Sequence, residues 1–213
     1  MNDFIIDTRN GSIQTNKKEK DEWNIKVLKE RGDWERKKWI SAPGLCELVK
    51  KMFSSNKTIS GLEIGVASGW TMNHFLENIP NLYLTGIDPY VGYMDGNKKI
   101  TQEKLDAQYL AAQDNISDFT PRGTILKGYS EEFVHLIVEQ SLDYIFIDGD
   151  HSYEGVLSDC EMYFSKVKKG GIFAGHDWCL NGVRKAVNEF KEKHGSPEIK
   201  YTSNDVWYWI KND

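Results

Sequence analysis

"GLEIGVASGWTMNHFLENIPNLYLTGIDPY", residues 61–90, contains one complete repeat of the fold. "GLEIGV" (61–66) is a short apolar run bounded by a glycine-rich turn, the pattern of a buried strand. Behind it, Met72, Phe75, Leu76 and Ile79 fall at i, i+3, i+4 and i+7 and so share one helix face. "LYLTGID" (82–88) is a second strand. Two strands joined through a helix in so short a span lie parallel, with a right-handed crossover.

The same alternation runs on towards the C-terminus. A helix carries Leu105, Tyr109, Ala112, Ile116 and Phe119 on one face and stops near Pro121. The strand "TILKG" (124–128), a helix through Phe133, Leu136 and Ile137, and the strand "DYIFIDG" (143–149) follow. Val156, Cys160, Tyr163 and Val167 form the next apolar stripe, which Gly170-Gly171 is expected to end as a helix C-cap. "IFAG" (172–175) leads to a helix with Val183, Ala186, Val187 and Phe190. The last runs, "EIKYT" (198–202) and "DVWYWIK" (205–211), are too close for a crossover helix and must pair as a hairpin. The expected fold is α/β: a doubly wound sheet of seven strands, helices on both faces, and a C-terminal antiparallel hairpin strand. Residues 1–56 are read as an N-terminal helical lid or extension, with a helix holding Leu45, Leu48, Val49 and Met52. Upstream of it, Trp23, Trp34 and Trp39 are expected to pack on the core. Residues 57–213 form the main domain.

Bulk composition excludes several classes of function. With 39% apolar and 28% charged residues in 213, the chain reads as a soluble globular protein with a sizeable core. A net charge of −5 and the absence of a long basic block argue against nucleic acid. Three scattered cysteines, Cys46, Cys160 and Cys179, fit a reducing cytoplasm and neither structural zinc nor a disulfide framework. The opening "MNDFIIDTRNGS" does not read as a signal peptide, and with no apolar run of the length a span needs, no membrane segment is expected.

In open α/β sheets ligands bind beyond the carboxyl ends of the strands. The first loop there, "LEIGVASGWT" (62–71), places Gly65 and Gly69 around Val66, Ala67 and Ser68, with Glu63 two residues before the first glycine. A pyrophosphate loop needs a third, central glycine, and an acid beside it would repel phosphate. The same acid suits a cation or an amino group. "GIDPY" (86–90) ends the second strand with Asp88, placed to accept hydrogen bonds from both ribose hydroxyls. A ribose acid beside a loop that avoids phosphate describes a positively charged nucleoside.

These motifs resemble the cofactor-binding half of the class I S-adenosylmethionine-dependent methyltransferases, a Rossmann-like family. "FIDGDHSYEGVLSDCEMYFSKVKKGGIFAGHDW" (146–178) followed by "GVRKAVNEF" (182–190) is similar to a branch containing macrolide-sugar and aminocoumarin-sugar O-methyltransferases. The resemblance covers roughly residues 60–211 and implies S-adenosylmethionine as cofactor. It implies that Gly65, Ala67, Ser68 and Gly69 line the methionine part and that Glu63 sits near its amino group or orients the loop. Asp88 would hold the ribose, Pro89 and Tyr90 would shape the adenine side, and Tyr129 and Ser130 of "KGYS" (127–130) would flank adenine. Ser130 also reads as the N-cap of "SEEF".

The two strands that follow end in acid–histidine pairs: Asp148, Asp150 and His151 after one, His176 and Asp177 after the other. Methyl transfer needs alignment and a lowered pKa of the attacking hydroxyl, which a metal or a base can supply. Resemblance makes Asp148 both a metal ligand and a neighbour of the cofactor. Asp177 and His176 are the further metal candidates and His151 the general base, while Asp150 reads as a turn residue or helix cap. Oxygen ligands alone favour Mg²⁺; an imidazole among them tilts the site towards Mn²⁺ or Fe²⁺. His74, His135 and His194 receive no role.

Three rival functions fit the sequence less well. A metallophosphoesterase needs an early Asp-x-His, which no histidine here provides. A nicotinamide dehydrogenase needs the missing glycine. A non-catalytic cofactor-binding subunit would have no use for Asp148, His151 and Asp177. The expected acceptor is a small-molecule or sugar hydroxyl, shaped by residues 1–56, 90–99 and 179–182, and self-association into a homo-oligomer is open.

Overall fold

The computed structural model describes residues 40–95 and 97–212. Trp23, Trp34 and Trp39, and the packing expected of them, lie outside the described residues. In chain order the elements are α1 (Pro43–Met52), β1 (Ile59–Ile64), α2 (Trp70–Asn78) and β2 (Leu82–Asp88). A small hairpin, β3 (Tyr93–Asp95) and β4 (Lys98–Ile100), precedes α3 (Gln102–Ile116) and β5 (Gly123–Lys127). Then come α4 (Ser130–Phe133), β6 (Leu142–Ile147), α5 (Tyr153–Tyr163), β7 (Val167–Gly175), α6 (Asn181–Lys193), β8 (Lys200–Thr202) and β9 (Val206–Ile210).

The main sheet has the order β5-β2-β1-β6-β7-β9-β8. β9 inserts between β7 and β8 and runs antiparallel to both, as the short link between the last two strands required. Side chains alternate across the sheet with period two. Tyr144 and Phe146 of β6 and Ile172 and Ala174 of β7 face one core with Ala42, Leu45, Cys46, Val49, Met72, Phe75 and Ala112. Ile145 and Ile147, Phe173, and Trp207 and Trp209 face the other, against Val156, Cys160, Tyr163, Val183, Val187 and Phe190. Helix α1 therefore belongs to the core of the sheet. It starts with a proline in its first turn, where the missing N–H costs nothing, and ends with Lys50 and Lys51 facing its dipole. Among the described residues no helix is long and apolar enough to cross a membrane.

Two local expectations are corrected, and one element is new. β7 begins at Val167, so Gly170-Gly171 does not cap a helix. Gly170, at φ 79°, lies in a bulge where the pairing jumps from Leu142↔Val167 to Tyr144↔Ile172. A helix C-cap and a glycine bulge use the same left-handed backbone, so sequence alone does not separate them. The helix expected through Ile137 is one turn of α4 and a 3₁₀ turn, Val134–Leu136, because little apolar surface is available there: Leu136 and Val138 stay exposed. The β3–β4 hairpin was not anticipated, although the Asp95-Gly96 pair is a turn signal.

The strand order reverses between β1 and β6, and main-chain bonds continue past the strand ends there. Gly65 N donates to Ile87 O (2.8 Å), Asp148 N to Ile64 O (2.7 Å) and His176 N to Ile147 O (3.0 Å). The loops after β1, β2, β6 and β7 are thereby held side by side at one edge.

Candidate active site

The loop after β1 is shaped by what surrounds it. Gly65 has φ 89°, and a Cβ there would lie 2.1 Å from the carbonyl oxygen of Asp148. Glycine is required because the backbone of the β6 loop passes directly against it. Asp88 then pins the loop. Its Oδ2 accepts the N–H groups of Val66 (3.0 Å) and Ala67 (2.9 Å), and its Oδ1 accepts that of Tyr90 (2.9 Å). Burial raises the Asp88 pKa, against which these three donors work. A carboxylate has about four acceptor positions, so one remains on Oδ1 beyond the three in use.

Tyr90 reaches the loop from inside. Its side chain is buried, its hydroxyl donates to Ala67 O (2.9 Å) and its ring packs on Tyr109. From α3, Asn115 Nδ2 donates to Ser68 O (2.7 Å), and Asn73 Nδ2 donates to Asn115 O (2.6 Å). Asn115 and Asn73 were missed in the sequence. Their distance from the loop in the chain hides them, and an asparagine on a helix carries no local signal.

Glu63 is 3% exposed, on the core side of β1 behind the loop. Burial, with the charges of Asp148 and Asp88 adding to it, pushes its pKa well above the usual carboxylate range. A cation placed beside it would favour the ionised carboxylate that burial opposes.

The acid–histidine pairs of β6 and β7 converge. His151 Nε2 lies 3.0 Å from Asp177 Oδ2 and 3.7 Å from Asp148 Oδ1. His176 Nδ1 lies 3.3 Å and 3.5 Å from the same two oxygens. Hydrogen bonds to Asp148 and Asp177 push the His151 pKa to about 10. For His176, burial opposes the charged form, yet the bond to Asp177 and the charge of Asp148 raise its pKa. Bonds from both imidazoles hold Asp177 far below the carboxylate range. Asp177 itself has φ 57°, a conformation that aspartate tolerates better than most residues. Ligand atoms of Asp148, His151 and Asp177 all lie within 4.8 Å of one another, so His151, expected as a base, also stands where a ligand would. Two carboxylates with imidazole nitrogens are a donor set that suits a divalent transition metal. Asp177, Cys179 and Asp205 form a second such grouping, but Asp205 Oδ2 already accepts Cys179 N (2.9 Å) and closes that turn.

Of the two roles expected for Asp150, the turn residue is the one seen: it accepts Ser152 N (2.8 Å) and Ser152 Oγ (2.9 Å), while the N-cap of α5 is Ser152, whose Oγ accepts Gly155 N. Ser130 does not cap. The N-cap position belongs to Tyr129, whose N–H goes to Glu132, and Ser130 Oγ donates to buried Asp159 (2.6 Å). Tyr129 is exposed and Pro89 half-buried at the same edge. Ser41, at the start of the described chain, donates to Asp148 Oδ2 (2.8 Å), a contact no sequence pattern announces.

With a glycine loop, a carboxylate at the end of β2 and polar clusters after β6 and β7 at one edge, comparison with known proteins becomes decisive. A family described as a methyltransferase domain matches residues 62–178, more than half of the chain. The chain belongs to this methyltransferase family. The match takes in the motifs at residues 62–71, 86–90 and 146–178. An uncharacterized protein of Acanthamoeba polyphaga mimivirus is 29% identical over 122 residues, 55% of this methyltransferase and 50% of that protein. The chain thus spans about half the length of that relative. Solved structures share the fold. The O-methyltransferase NovP aligns with TM-score 0.62 and 18% identity, covering 79% of this chain and 78% of its own. A candidate caffeoyl-CoA O-methyltransferase from Staphylococcus aureus gives 0.59 and 20%, with 88% and 92% covered. An O-methyltransferase from Bacillus cereus in complex with SAH gives 0.55 and 14%, with 80% and 82% covered.

Proposed function

We propose that this methyltransferase moves the methyl group of S-adenosylmethionine to a hydroxyl of a small-molecule or sugar acceptor, with a divalent metal at Asp148 and Asp177. The observation that carries the proposal is the convergence of two carboxylates and two imidazoles on one point, beside the loop that Asp88 and Gly65 shape. Asp148 supplies negative charge for a sulphonium or ammonium group, and such a cation would in turn favour the ionised form of Glu63 that burial opposes. Asp88 uses its remaining acceptor position on the ribose, and Pro89, Tyr129 and Ser130 edge the adenine side. A cation held by Asp148 and Asp177, with His151 or His176 completing the set, would lower the pKa of the acceptor hydroxyl. A cation on Asp148 and Asp177 would cancel the negative charge that holds the His151 proton, and His151, the more exposed imidazole, would then take the acceptor proton with Asp177 orienting its ring.

The test is methyl transfer from labelled S-adenosylmethionine to a panel of hydroxylated acceptors after chelator treatment, with Mg²⁺ or Mn²⁺ added back. Activity should vanish in chelator and return with metal, and Asp177→Ala should abolish turnover while binding S-adenosylhomocysteine as before. Full activity in chelator refutes the metal; loss of cofactor binding in Asp177→Ala refutes its place on the acceptor side.

A further inference from the structure

Asp148 is held by more than its own strand. Ser41 lies just before α1, and its hydroxyl donates to Asp148 Oδ2 (2.8 Å). The same Oγ lies 2.9 Å from Thr71 Oγ1, and Ser41 N donates to Thr71 Oγ1 (3.1 Å). Proton counting settles the direction. Ser41 spends its one hydroxyl proton on the carboxylate, so Thr71 is the donor in the hydroxyl pair. The chain therefore runs Thr71 O–H to Ser41 Oγ, then Ser41 O–H to Asp148. It satisfies Oδ2 and leaves Oδ1 turned towards His151 and His176.

The two ends of this chain have different duties. Thr71 is a buried residue in the first turn of α2, whose N-cap is Gly69 of the glycine loop. Asp148 is the carboxylate through which β6 reaches the acid–histidine cluster. The segment that carries Ser41 is fixed on its other side as well. Asn204 Nδ2 donates to Ile40 O (3.3 Å), and a Cβ on Gly44 would meet Ser203 and Thr202 at 2.7 and 2.8 Å. Ser41 is thus delivered by a segment wedged between α2 and the β8–β9 turn.

We infer that Ser41 is a positioning residue. Through Thr71 it ties the orientation of Asp148 to the start of α2, so that filling the cofactor loop tightens the hold of the cluster on a divalent cation. The inference rests on the proposed metal role of Asp148. It adds a residue to that site and a coupling between its two halves, which must be reciprocal.

The experiment titrates the full chain with Mn²⁺ alone, reading free Mn²⁺ by electron paramagnetic resonance, with and without saturating S-adenosylhomocysteine. In the unaltered protein S-adenosylhomocysteine should tighten Mn²⁺ binding. Ser41→Ala should weaken Mn²⁺ by roughly tenfold to a hundredfold, the size of one hydrogen bond to a charged group, and should abolish the tightening. Its thermal midpoint without ligands should fall by no more than the loss of one part-buried hydrogen bond allows, and its affinity for S-adenosylhomocysteine without metal should stay close to that of the parent. Ser41→Thr, which keeps the hydroxyl, should restore both effects, and Thr71→Val should reproduce the loss of coupling where Thr71→Ser does not. Mn²⁺ binding in Ser41→Ala equal to the parent's, with the same response to S-adenosylhomocysteine, overturns the inference. No saturable Mn²⁺ binding in the unaltered protein would instead sink the metal reading, and the inference with it.

Discussion

Replacing Gly65 by alanine tests how the cofactor loop and the β6 loop share space. At φ 89° an alanine is strained, at a cost of about 1–2 kcal/mol. Its Cβ would also stand 2.1 Å from Asp148 O, 2.4 Å from Asp148 C and 2.7 Å from Gly149 Cα. All three are backbone atoms, so no side chain can swing aside and the two loops must part. Overpacking of this kind costs roughly 1–3 kcal/mol, for a total of about 2–5 kcal/mol. For a chain of this length each kcal/mol moves the thermal midpoint by about 2–4 °C, which predicts a fall of roughly 4–20 °C. Gly170→Ala is the control. Its φ is 79°, but nothing lies within 4 Å of the added Cβ, so only the conformational cost applies and the fall should stay near 2–8 °C. Differential scanning calorimetry measures both, and calorimetric titration with S-adenosylhomocysteine follows the site. Gly65→Ala should lose cofactor affinity and Gly170→Ala should keep it. Equal midpoints in the two variants, or parental affinity in Gly65→Ala, would refute the account of a loop held against Asp148.

Asp88→Ala should weaken S-adenosylhomocysteine by a factor of ten or more, because the glycine loop loses two backbone anchors, Tyr90 N loses its acceptor and the ribose acceptor goes as well; parental affinity by calorimetry would remove Asp88 from the site. Asp159 gives a pH prediction. Burial lifts its pKa to about 6, so the folded state holds this proton more tightly than the unfolded chain does. Stability from this group is complete below about pH 4 and falls as pH rises through about 6, by at most about 3 kcal/mol. Asp159→Asn keeps an acceptor for Ser130 and should raise the thermal midpoint at pH 8 but not at pH 4; an equal change at both would show that burial of the charge is not the cause.

Much of this molecule is legible along the chain. Period-two and period-3.6 patterns in residues 61–90 and their repeats set the sheet, its helices and the closing hairpin, because side-chain direction follows from backbone geometry alone. The glycines at 65 and 69, Asp88, and the acid–histidine ends of β6 and β7 were visible because strand ends bring such residues to one edge. Tertiary structure decided the partners. It turned Asp88 onto Val66, Ala67 and Tyr90, buried Tyr90 behind Ala67, and placed His151 between two carboxylates. It also brought Ser41 to Asp148 across 107 residues and Asn115 to Ser68 across 47. Such contacts depend on where separate elements pack. A hydroxyl or an amide on a helix carries no trace in its own neighbourhood of the distant group it will meet, and a glycine with left-handed backbone reads alike in a cap and in a bulge.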